Sequence, residues 1–321
     1  MMAALRQRMG FHGGEMALRI AVLGRGAWGT TLAALWERGG HGLSLWSRRD
    51  GGDPVAVLQG AELVVSAVSM AGVEGLARRL GPGWPAGLPL LSCSKGIDLE
   101  GLCTAAQLWQ KHLPPVGVAV LSGPNLAAEL DRGLPAASVI ASVDACLARH
   151  LQAELVAPNL RLYTNADPIG TEAAGALKNV IALAAGISDG LGLGANAKAS
   201  LLCRGLAEIG VVLQALGGQS ATLYGLAGLG DLLATANSTL SRNYRFGQEL
   251  ARGADGATAL ARVGATVEGA PTARAVLRLA ERQGWRLPIS EQVVALLDGR
   301  IDAARAVRAL MERDLRAEAD G

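Results

Sequence analysis

The sequence predicts an α/β fold with a doubly wound, mostly parallel sheet in its first half, followed by an all-α carboxy-terminal half. Three observations predict this division. Short apolar runs alternate with amphipathic stretches up to about residue 165, and a glycine-rich turn follows the first run at once. Helical periodicity then replaces the strand pattern from about Asp167 onward.

Seven strands are predicted in the first half, and amphipathic helical segments fall between most of them. The strands cover residues 18–23, 43–46, 63–68, 88–93, 116–121, 137–141 and 160–163. The helical segments cover residues 27–38, 73–80, 104–112 and 146–155. Mostly apolar strands that alternate with helices are typical of a parallel sheet covered on both faces.

The second half shows only helical periodicity, and early prolines such as Pro271 and Pro288 mark helix starts. The predicted helices cover residues 172–185, 197–216, 243–251, 272–283, 291–297 and 303–313. We therefore expect a dinucleotide-binding domain over residues 17–165 and a helical substrate-binding domain over residues 166–321. Residues 1–16 are interpreted as a disordered leader, with Met16 as an alternative start.

Composition and charge exclude several classes of function. The chain has 30 basic and 28 acidic residues, so its net charge of +2 gives no reason to expect nucleic acid or an anionic membrane as a partner. A signal peptide is not expected, because Arg6, Arg8, His12, Gly13 and Gly14 interrupt any apolar core in the first residues. No apolar run is long enough to cross a bilayer.

The four cysteines lie far apart, without a C-x-x-C pair. Neither a disulfide framework nor a metal site is therefore expected, and the compartment expected is the reducing cytoplasm. Half of the residues are hydrophobic but only 3% are aromatic, so the cores must be built from aliphatic side chains.

A glycine motif follows the first predicted strand and opens the helix beginning at Ala27. In it, Gly24 is suited to the tight turn, Gly26 to close approach of a pyrophosphate, and Gly29 to close packing of helix on strand. The free amides at the helix start attract an anionic pyrophosphate. In this context the motif predicts a Rossmann-type dinucleotide site, whereas the alternative is an ordinary glycine-rich turn.

The end of the second strand bears on the choice of cofactor. An enzyme that uses NADH usually has an acidic residue here, but this chain has Ser47, Arg48 and Arg49, and no acid before Asp50. Two guanidinium groups suit the 2′-phosphate of NADPH, although they could also be solvated loop arginines. We expect NADPH to be preferred, with NADH possible.

Several segments together resemble the bacterial NAD(P)-dependent glycerol-3-phosphate dehydrogenase family, in order and over nearly the whole chain. They are Gly24-Arg25-Gly26-Ala27-Trp28-Gly29-Thr30, Ser94-Lys95-Gly96, Ser122-Gly123-Pro124-Asn125, Ala176-Leu177-Lys178-Asn179-Val180, Ser188-Asp189-Gly190, Gly194-Ala195-Asn196-Ala197, Gly228-Leu229-Gly230-Asp231, Ser241-Arg242-Asn243 and Val267-Glu268-Gly269. The resemblance implies a cytoplasmic oxidoreductase, expected as a homodimer. It would reduce a small phosphorylated triose, dihydroxyacetone phosphate, to sn-glycerol 3-phosphate for phospholipid synthesis.

The resemblance also implies a role for each matching position. Lys178 looks like the catalytic proton donor and acceptor, and Lys95 like a ligand of both substrate and cofactor. The other implied substrate contacts are Gly123, Asn125, Asp231, Ser241, Arg242 and Asn243. The other implied cofactor contacts are Gly24, Gly26, Ala27, Trp28, Gly29, Arg48, Arg49, Ala127, Arg242 and Glu268.

Three departures from the family pattern concern the cofactor side. Only fourteen residues, 48–61, separate the second and third predicted strands, so a truncated helix or a bare loop is expected there. Asn125 stands where the family commonly has Thr. Ala27 and Trp28 replace the more usual pair at the glycine turn. These differences bear on local cofactor geometry and leave the reaction class unchanged.

The residues themselves support part of this chemistry. Lys178 lies in an aliphatic helical segment, where burial would lower its pKa toward the range useful for acid–base catalysis, unless it extends to solvent. Asn179 should make different contacts, about 100° away around the helix. Lys95 follows the fourth strand at the ligand-binding edge of the sheet. Asp231 is expected to bond Lys178 or a substrate hydroxyl.

A second polar group lies at a predicted helix start, where Ser241, Arg242 and Asn243 could form a phosphate cradle or an ordinary helix cap with a surface arginine. All four histidines fall in the first half, so histidine-based acid–base catalysis has no candidate in the second domain. Two alternative functions remain at this stage: a related two-domain β-hydroxyacid-type dehydrogenase, and a non-catalytic NADP-binding sensor.

Overall fold

The structure, a computed structural model, describes residues 17–312, so the predicted leader lies outside the described residues. The chain divides into two compact units. Within the described residues, the sheet unit comprises residues 17–94 and 105–168, and the helical unit comprises residues 95–104 and 169–312.

The sheet unit contains a seven-stranded sheet in the order β2-β1-β3-β4-β5-β6-β7. The strands are β1 Arg19–Leu23, β2 Gly42–Trp46, β3 Leu63–Ser66, β4 Leu90–Ser92, β5 Val118–Ser122, β6 Ala136–Ala141 and β7 Leu160–Asn165. All neighbouring strands are parallel except β5 and β6, which pair antiparallel. The predicted fold class is confirmed, and the central strands β1, β3, β4 and β5 are buried on both faces, as is typical of a parallel sheet.

Five helices belong to the sheet unit. They are α1 Ala27–Arg38, α2 Met70–Leu80, α3 Ala105–His112, α4 Ala127–Asp131 and α5 Ala145–Leu155. The connection between β2 and β3 has only a single 3-10 turn, Ala56–Leu58, which confirms the expectation of a truncated helix or bare loop. The short helix α4 was not predicted, since five residues are too few to show helical periodicity.

His41 takes part in hydrogen bonds inside the sheet unit. His41 is buried, its Nδ1 accepts from the backbone amide of Leu18, and its Nε2 therefore donates to the carbonyl of Glu154. Trp36 donates its indole N–H to the carbonyl of Leu155. These bonds join the β1–β2 region to the end of α5, so His41 has a structural role.

The helical unit contains nine helices among the described residues. They are α6 Pro168–Gly190, α7 Gly194–Ala215, α8 Ser220–Leu223, α9 Asp231–Ala236, α10 Arg242–Ala251, α11 Gly256–Val263, α12 Gly269–Gln283, α13 Pro288–Leu297 and α14 Ala303–Met311. The prediction found the six longer elements and missed α8, α9 and α11. A π-helical turn, Leu226–Gly230, leads into α9. No helix among residues 17–312 is long and apolar enough to span a membrane.

Helices α6 and α10 pack at very short range because glycines face backbone atoms. A Cβ at Gly186 would lie 2.0 Å from the carbonyl oxygen of Tyr244, and a Cβ at Gly247 would lie 2.0 Å from that of Leu183. Any side chain at either position would force the helices apart. This contact fixes the start of α10 relative to α6, the helix that carries Lys178.

Residues 95–104 differ from the predicted domain organisation. The prediction included them in the first domain, over residues 17–165, but in the structure they group with the helical unit. The physical reason is burial, since Ile97 and Leu102 are 2% and 6% exposed within the helical unit's core. The predicted boundary near residue 166 stays a prediction.

Candidate active site

A buried ion pair lies in the helical unit between α6 and the start of α9. Lys178 Nζ donates to Asp231 Oδ1 over 2.8 Å, and the two side chains are 8% and 2% exposed. Of the two partners predicted for Asp231, Lys178 is thus the one seen. Lys178 is buried and does not extend to solvent, since its helix is covered by aliphatic side chains on nearly every side.

Lys95 completes the arrangement from the opposite oxygen. Its Nζ donates to Asp231 Oδ2 over 2.6 Å, so one carboxylate holds two ammonium groups. Lys95 belongs to the segment 95–104, which explains how a residue following β4 reaches a carboxylate of the helical unit. The sequence singled out all three residues but did not predict this shared carboxylate.

Burial and neighbouring charges set the protonation of this group. Burial lowers the pKa of Lys178 to about 8, against the opposing effect of Asp231, while the positive charges of Lys95 and Arg242 lower it further. Burial alone would raise the pKa of Asp231, but Lys178 and Lys95 hold it below its usual value. Asp231 is therefore ionised at neutral pH, and Lys178 can both give and take a proton there.

The cluster has an excess of positive charge. Lys95 and Lys178 act on the single carboxylate of Asp231, and Arg242 acts on Lys178, so the three cations and one anion have a formal charge of +3 − 1 = +2. Arg242 is exposed at the first position of α10, whereas Lys178 is buried. An anionic ligand with one or two negative charges would balance this excess, and a phosphate monoester has that charge.

Thr235 is a site residue that the sequence analysis missed. Its hydroxyl accepts from Lys178 Nζ at 2.5 Å and donates to Asp231 Oδ1 at 3.1 Å. The signal was present, because Thr235 follows Asp231 by four residues and so shares its helix face. With Asp231 and Thr235 both bonded to it, the amine of Lys178 has a fixed direction.

Ser241, Arg242 and Asn243 lie at the start of α10, where Ser241 caps the helix and Asn243 is hydrogen-bonded to neighbouring helices. Ser241 is the N-cap and accepts from the Tyr244 amide at 3.2 Å. Asn243 donates to Asn179 Oδ1 and accepts from the Gly269 amide, both over 2.8 Å. The side chain of Asn243 thus joins α6, α10 and α12, while Asn179, as predicted, makes contacts different from those of Lys178.

Glu268, a predicted cofactor contact, immediately precedes α12 and is half-buried. It lies next to Gly269, whose amide bonds Asn243, so Glu268 adjoins the network at the start of α10. A Cβ at Gly269 would lie 2.6 Å from the carbonyl oxygen of Asn179, which keeps this backbone close to α6.

A second cluster missed by the sequence analysis connects the end of α6 to α10. Asp189 Oδ2 accepts from Tyr244 Oη at 2.5 Å and from Lys198 Nζ at 2.6 Å. The ammonium of Lys198 also lies 5.2 Å from the centre of the Tyr244 ring. Because Tyr244 lies within the first turn of α10, the cluster braces the end of the helix that carries Arg242.

In the sheet unit, the glycine motif has the geometry of a nucleotide cradle. Gly24 has φ of +110°, and a Cβ there would lie 2.7 Å from the Ala67 backbone. A Cβ at Gly29 would lie 2.0 Å from the Gly24 carbonyl oxygen, whereas a Cβ at Gly26 would meet nothing within 4 Å. Two glycines are therefore required by packing, and the third borders open space at the start of α1, where a pyrophosphate would fit.

Two further predicted contacts belong to this turn. Ala27 is exposed at the first position of α1. Trp28 is half-buried against the core of the sheet unit, and its indole nitrogen finds no hydrogen-bond partner among the described residues. A buried N–H donor without a partner beside the cradle is available to a ligand acceptor.

The arginine pair after β2 lies in an exposed turn beside the cradle. Arg48 and Arg49 are both exposed, and the turn is closed by Asp50, whose amide donates to the carbonyl and hydroxyl of Ser47. Gly24 donates its amide to the carbonyl of Trp46 over 2.8 Å, so the turn and the glycine motif are adjacent.

The turn after β5 holds the remaining predicted contacts. Gly123 has φ of +137°, and a Cβ there would lie 3.0 Å from the Cα of Ser138. Asn125 Oδ1 accepts from the Ser138 hydroxyl, while its buried Nδ2 has no hydrogen-bond partner among the described residues. Ala127 is the first residue of α4 and is half-buried. Nδ2 of Asn125 is thus a free donor.

A nucleotide cradle on a mostly parallel sheet, in one chain with a buried lysine of lowered pKa, defines the class of nicotinamide-dependent oxidoreductases that act on a CH–OH group. Residues 19–52 and 51–148 match the family described as NAD-dependent glycerol-3-phosphate dehydrogenase N-terminus, and residues 167–308 match the corresponding C-terminus. The chain belongs to this family of NAD-dependent glycerol-3-phosphate dehydrogenases.

Individual relatives agree with the family match. The glycerol-3-phosphate dehydrogenase [NAD(P)+] of Synechococcus sp. (strain RCC307) is 55% identical over 94% of this chain and 100% of its own length. That of Synechocystis sp. (strain ATCC 27184 / PCC 6803 / Kazusa) is 46% identical over 97% and 98%. Among solved structures, glycerol-3-phosphate dehydrogenase from Coxiella burnetii superposes with a TM-score of 0.89 at 34% identity, covering 92% of this chain and 99% of that one.

Proposed function

We propose that this chain reduces dihydroxyacetone phosphate to sn-glycerol 3-phosphate with a nicotinamide cofactor, and that the product serves phospholipid synthesis. The observation that carries the proposal is the buried Lys178, which is hydrogen-bonded to Asp231 and has a pKa of about 8. Such an amine is mostly protonated near neutral pH, and because its pKa is close to that pH, the free-energy cost of its deprotonation is small.

The bound nicotinamide supplies the hydride, and the protein supplies the proton and the charges. Lys178 Nζ, held by Asp231 and Thr235, points in one direction and protonates the substrate oxygen as negative charge develops there. Lys95 balances Asp231 from the other oxygen and adds positive charge next to the substrate. In the reverse reaction the neutral amine of Lys178 takes the proton back.

The phosphate of the substrate would be held at the start of α10. Arg242 is exposed there, its guanidinium acts electrostatically on Lys178, and a guanidinium can bind a phosphate through two parallel hydrogen bonds. The free backbone amides of the first turn, capped by Ser241, add further donors. Asn243 contributes by fixing the helix start through Asn179 and Gly269.

The sheet unit fits a nicotinamide dinucleotide, because Gly26 borders open space at the start of α1 and Trp28 has an unused donor. We propose that NADPH is preferred over NADH, since the exposed Arg48 and Arg49 follow β2 where a 2′-phosphate would lie. Arg48→Ala should raise the KM for NADPH much more than that for NADH, and an equal effect on both would refute the contact.

The activity is tested by following NADPH oxidation with dihydroxyacetone phosphate for the wild type, Lys178→Ala and Lys111→Ala. Lys111 is an exposed lysine of α3 and serves as the control. We expect turnover by the wild type and by Lys111→Ala, and a loss of about 10³-fold or more in kcat for Lys178→Ala. No turnover by the wild type, or turnover with a β-hydroxy acid instead, would end this proposal.

Two further expectations accompany the proposed function. We expect the enzyme to act in the cytoplasm, because both substrate and cofactor are small, charged metabolites. We also expect a homodimer, as the family resemblance implies. Light scattering after size-exclusion chromatography measures the mass directly, and a value near that of the single chain, 32.9 kDa, would contradict the dimer.

A further inference from the structure

We propose that Arg25, which lies between the first two glycines of the motif, is a third cation for the cofactor's 2′-phosphate. Asp50 is the counter-charge that positions Arg25 and limits selectivity for NADPH. The proposal deepens the proposed function, since it rests on the 2′-phosphate contact at the end of β2.

The geometry brings Arg25 to the turn after β2. Gly24 donates its amide to the carbonyl of Trp46, so the residue that follows Gly24 lies beside the end of β2. The guanidinium of Arg25 then reaches Asp50, with 2.8 Å between Nη1 and Oδ2. Arg25 and Asp50 are both about half exposed, at 50% and 51%, so neither is buried away from a ligand.

The carboxylate of Asp50 organises this corner. Oδ2 accepts from Arg25 and also from the Ser47 hydroxyl, at 2.8 Å in each case. The hydrogen bonds from Ser47 and Arg25 keep the pKa of Asp50 below its usual value, so the carboxylate is ionised at neutral pH. Asp50 thus holds one guanidinium and one hydroxyl, both good phosphate donors, at the same place.

Charge explains why Asp50 would limit selectivity. Arg25, Arg48 and Arg49 contribute three positive charges to this corner and Asp50 removes one, which leaves a formal charge of +3 − 1 = +2. A 2′-phosphate is attracted by the arginines but repelled by Asp50, whereas a ribose hydroxyl can donate to a carboxylate. The pair therefore allows both cofactors while favouring the phosphorylated one.

The exposed pair Arg25–Asp50 contributes little to stability, so its variants should fold normally. The chain offers a matched control in the pair Arg78–Glu74, which lies in the same unit, has an exposed Arg78 and joins its atoms over 2.9 Å. Arg25→Gln and Arg78→Gln each remove an exposed arginine from an ion pair. Only Arg25→Gln removes the residue that is proposed to bind the 2′-phosphate.

The test is calorimetric titration of the full chain with adenosine 2′,5′-bisphosphate and with adenosine 5′-monophosphate. Arg25→Gln should weaken binding of the bisphosphate about tenfold and that of the monophosphate less than about twofold, as expected for loss of one charge-assisted contact. Asp50→Asn should strengthen binding of the bisphosphate relative to the monophosphate. Arg78→Gln should match the wild type for both nucleotides.

Equal binding of the bisphosphate by Arg25→Gln and Arg78→Gln would overturn the inference, and so would an Asp50→Asn variant with weaker relative binding of the bisphosphate. Both results would leave the reaction itself untouched, because the titration contains no triose phosphate and needs no turnover. Failure of the proposed function appears elsewhere, as absent reduction of dihydroxyacetone phosphate by the wild type.

Discussion

The ammonium of Lys178 and the carboxylate of Asp231 are joined over 2.8 Å, with only 8% and 2% of their side chains exposed. Burying two charges is costly unless each is paired and hydrogen-bonded, and here both are. Asp231 also holds Lys95, and Lys178 also bonds Thr235. The arrangement thus keeps the amine of Lys178 in a fixed direction and leaves an excess of positive charge beside it.

The first prediction concerns the pH dependence of the reaction. Reduction of the ketone requires the ammonium form of Lys178, so kcat/KM for reduction should fall as the pH rises through about 8. Oxidation of glycerol 3-phosphate requires the neutral amine, so its kcat/KM should rise over the same range. Initial rates in both directions measure this, and two profiles that both fall or both rise through about pH 8 would contradict it.

The second prediction concerns Asp231→Asn, which leaves Lys178 and Lys95 without their shared counter-charge. Removing one member of a buried ion pair should lower the free energy of unfolding by about 3 kcal/mol or more. The exposed Asp298, paired with Arg274 over 2.7 Å in the same unit, is the control, and Asp298→Asn should cost less than about 1 kcal/mol. Denaturant unfolding of both variants measures these losses. Similar losses of unfolding free energy in the two variants would contradict the prediction.

The fold could be predicted where its pattern is long and local. Seven strands and the longer helices follow from apolar periodicity, and the turn of Gly24 follows from its need for positive φ. The antiparallel pairing of β5 with β6 could not be predicted, because strand direction depends on tertiary contacts. The grouping of residues 95–104 with the helical unit depends likewise on where Ile97 and Leu102 are buried.

The sequence predicted the residues of the lysine–aspartate cluster and, as one of two alternatives, the bond of Asp231 to Lys178, but not the other contacts. Lys178, Lys95 and Asp231 were singled out separately, but one carboxylate shared by two lysines requires contacts across 136 and 53 positions of sequence. Thr235 could have been found from its helical spacing to Asp231. The bonds of Asn243 to Asn179 and Gly269 could not, since an amide side chain has many alternative partners.

The third prediction separates folding from cofactor binding within the glycine motif. Gly29→Ala places a Cβ 2.0 Å from a backbone oxygen, so it should lower the Tm by several degrees and weaken cofactor binding as well. Gly26→Ala meets nothing within 4 Å and should leave the Tm within about a degree of wild type. It should still weaken NADPH binding, because a methyl group would occupy the space needed by the pyrophosphate.

Thermal unfolding and fluorescence titration with NADPH measure both quantities for each glycine variant. The prediction requires that only Gly29→Ala is destabilised and that both variants lose affinity. Undiminished NADPH binding by Gly26→Ala would mean that the pyrophosphate does not lie at the start of α1, and the cofactor cradle would have to be placed elsewhere.

The fourth prediction uses Glu208, a carboxylate of α7 that is 6% exposed. It accepts from the Ile289 amide at 2.5 Å, and from the Ser290 amide and hydroxyl at 3.2 and 3.0 Å, so it caps α13. Burial raises the pKa of Glu208 to about 7, against the opposing effect of these donors. The folded protein therefore holds a proton on Glu208 at pH values where the unfolded chain, with a pKa near 4.5, does not.

Because the pKa is higher in the folded state, Glu208 stabilises the fold most below pH 4.5, and that contribution is lost as the pH rises through about 7. Glutamine does not titrate, so Glu208→Gln serves as the reference. As the pH falls from 7 to 4.5, the unfolding free energy of the wild type should rise relative to that of Glu208→Gln by up to about 3 kcal/mol. Denaturant unfolding across this range measures the difference. A constant difference would show that Glu208 stays ionised in the folded state, since its three donors would then outweigh the cost of burying its charge.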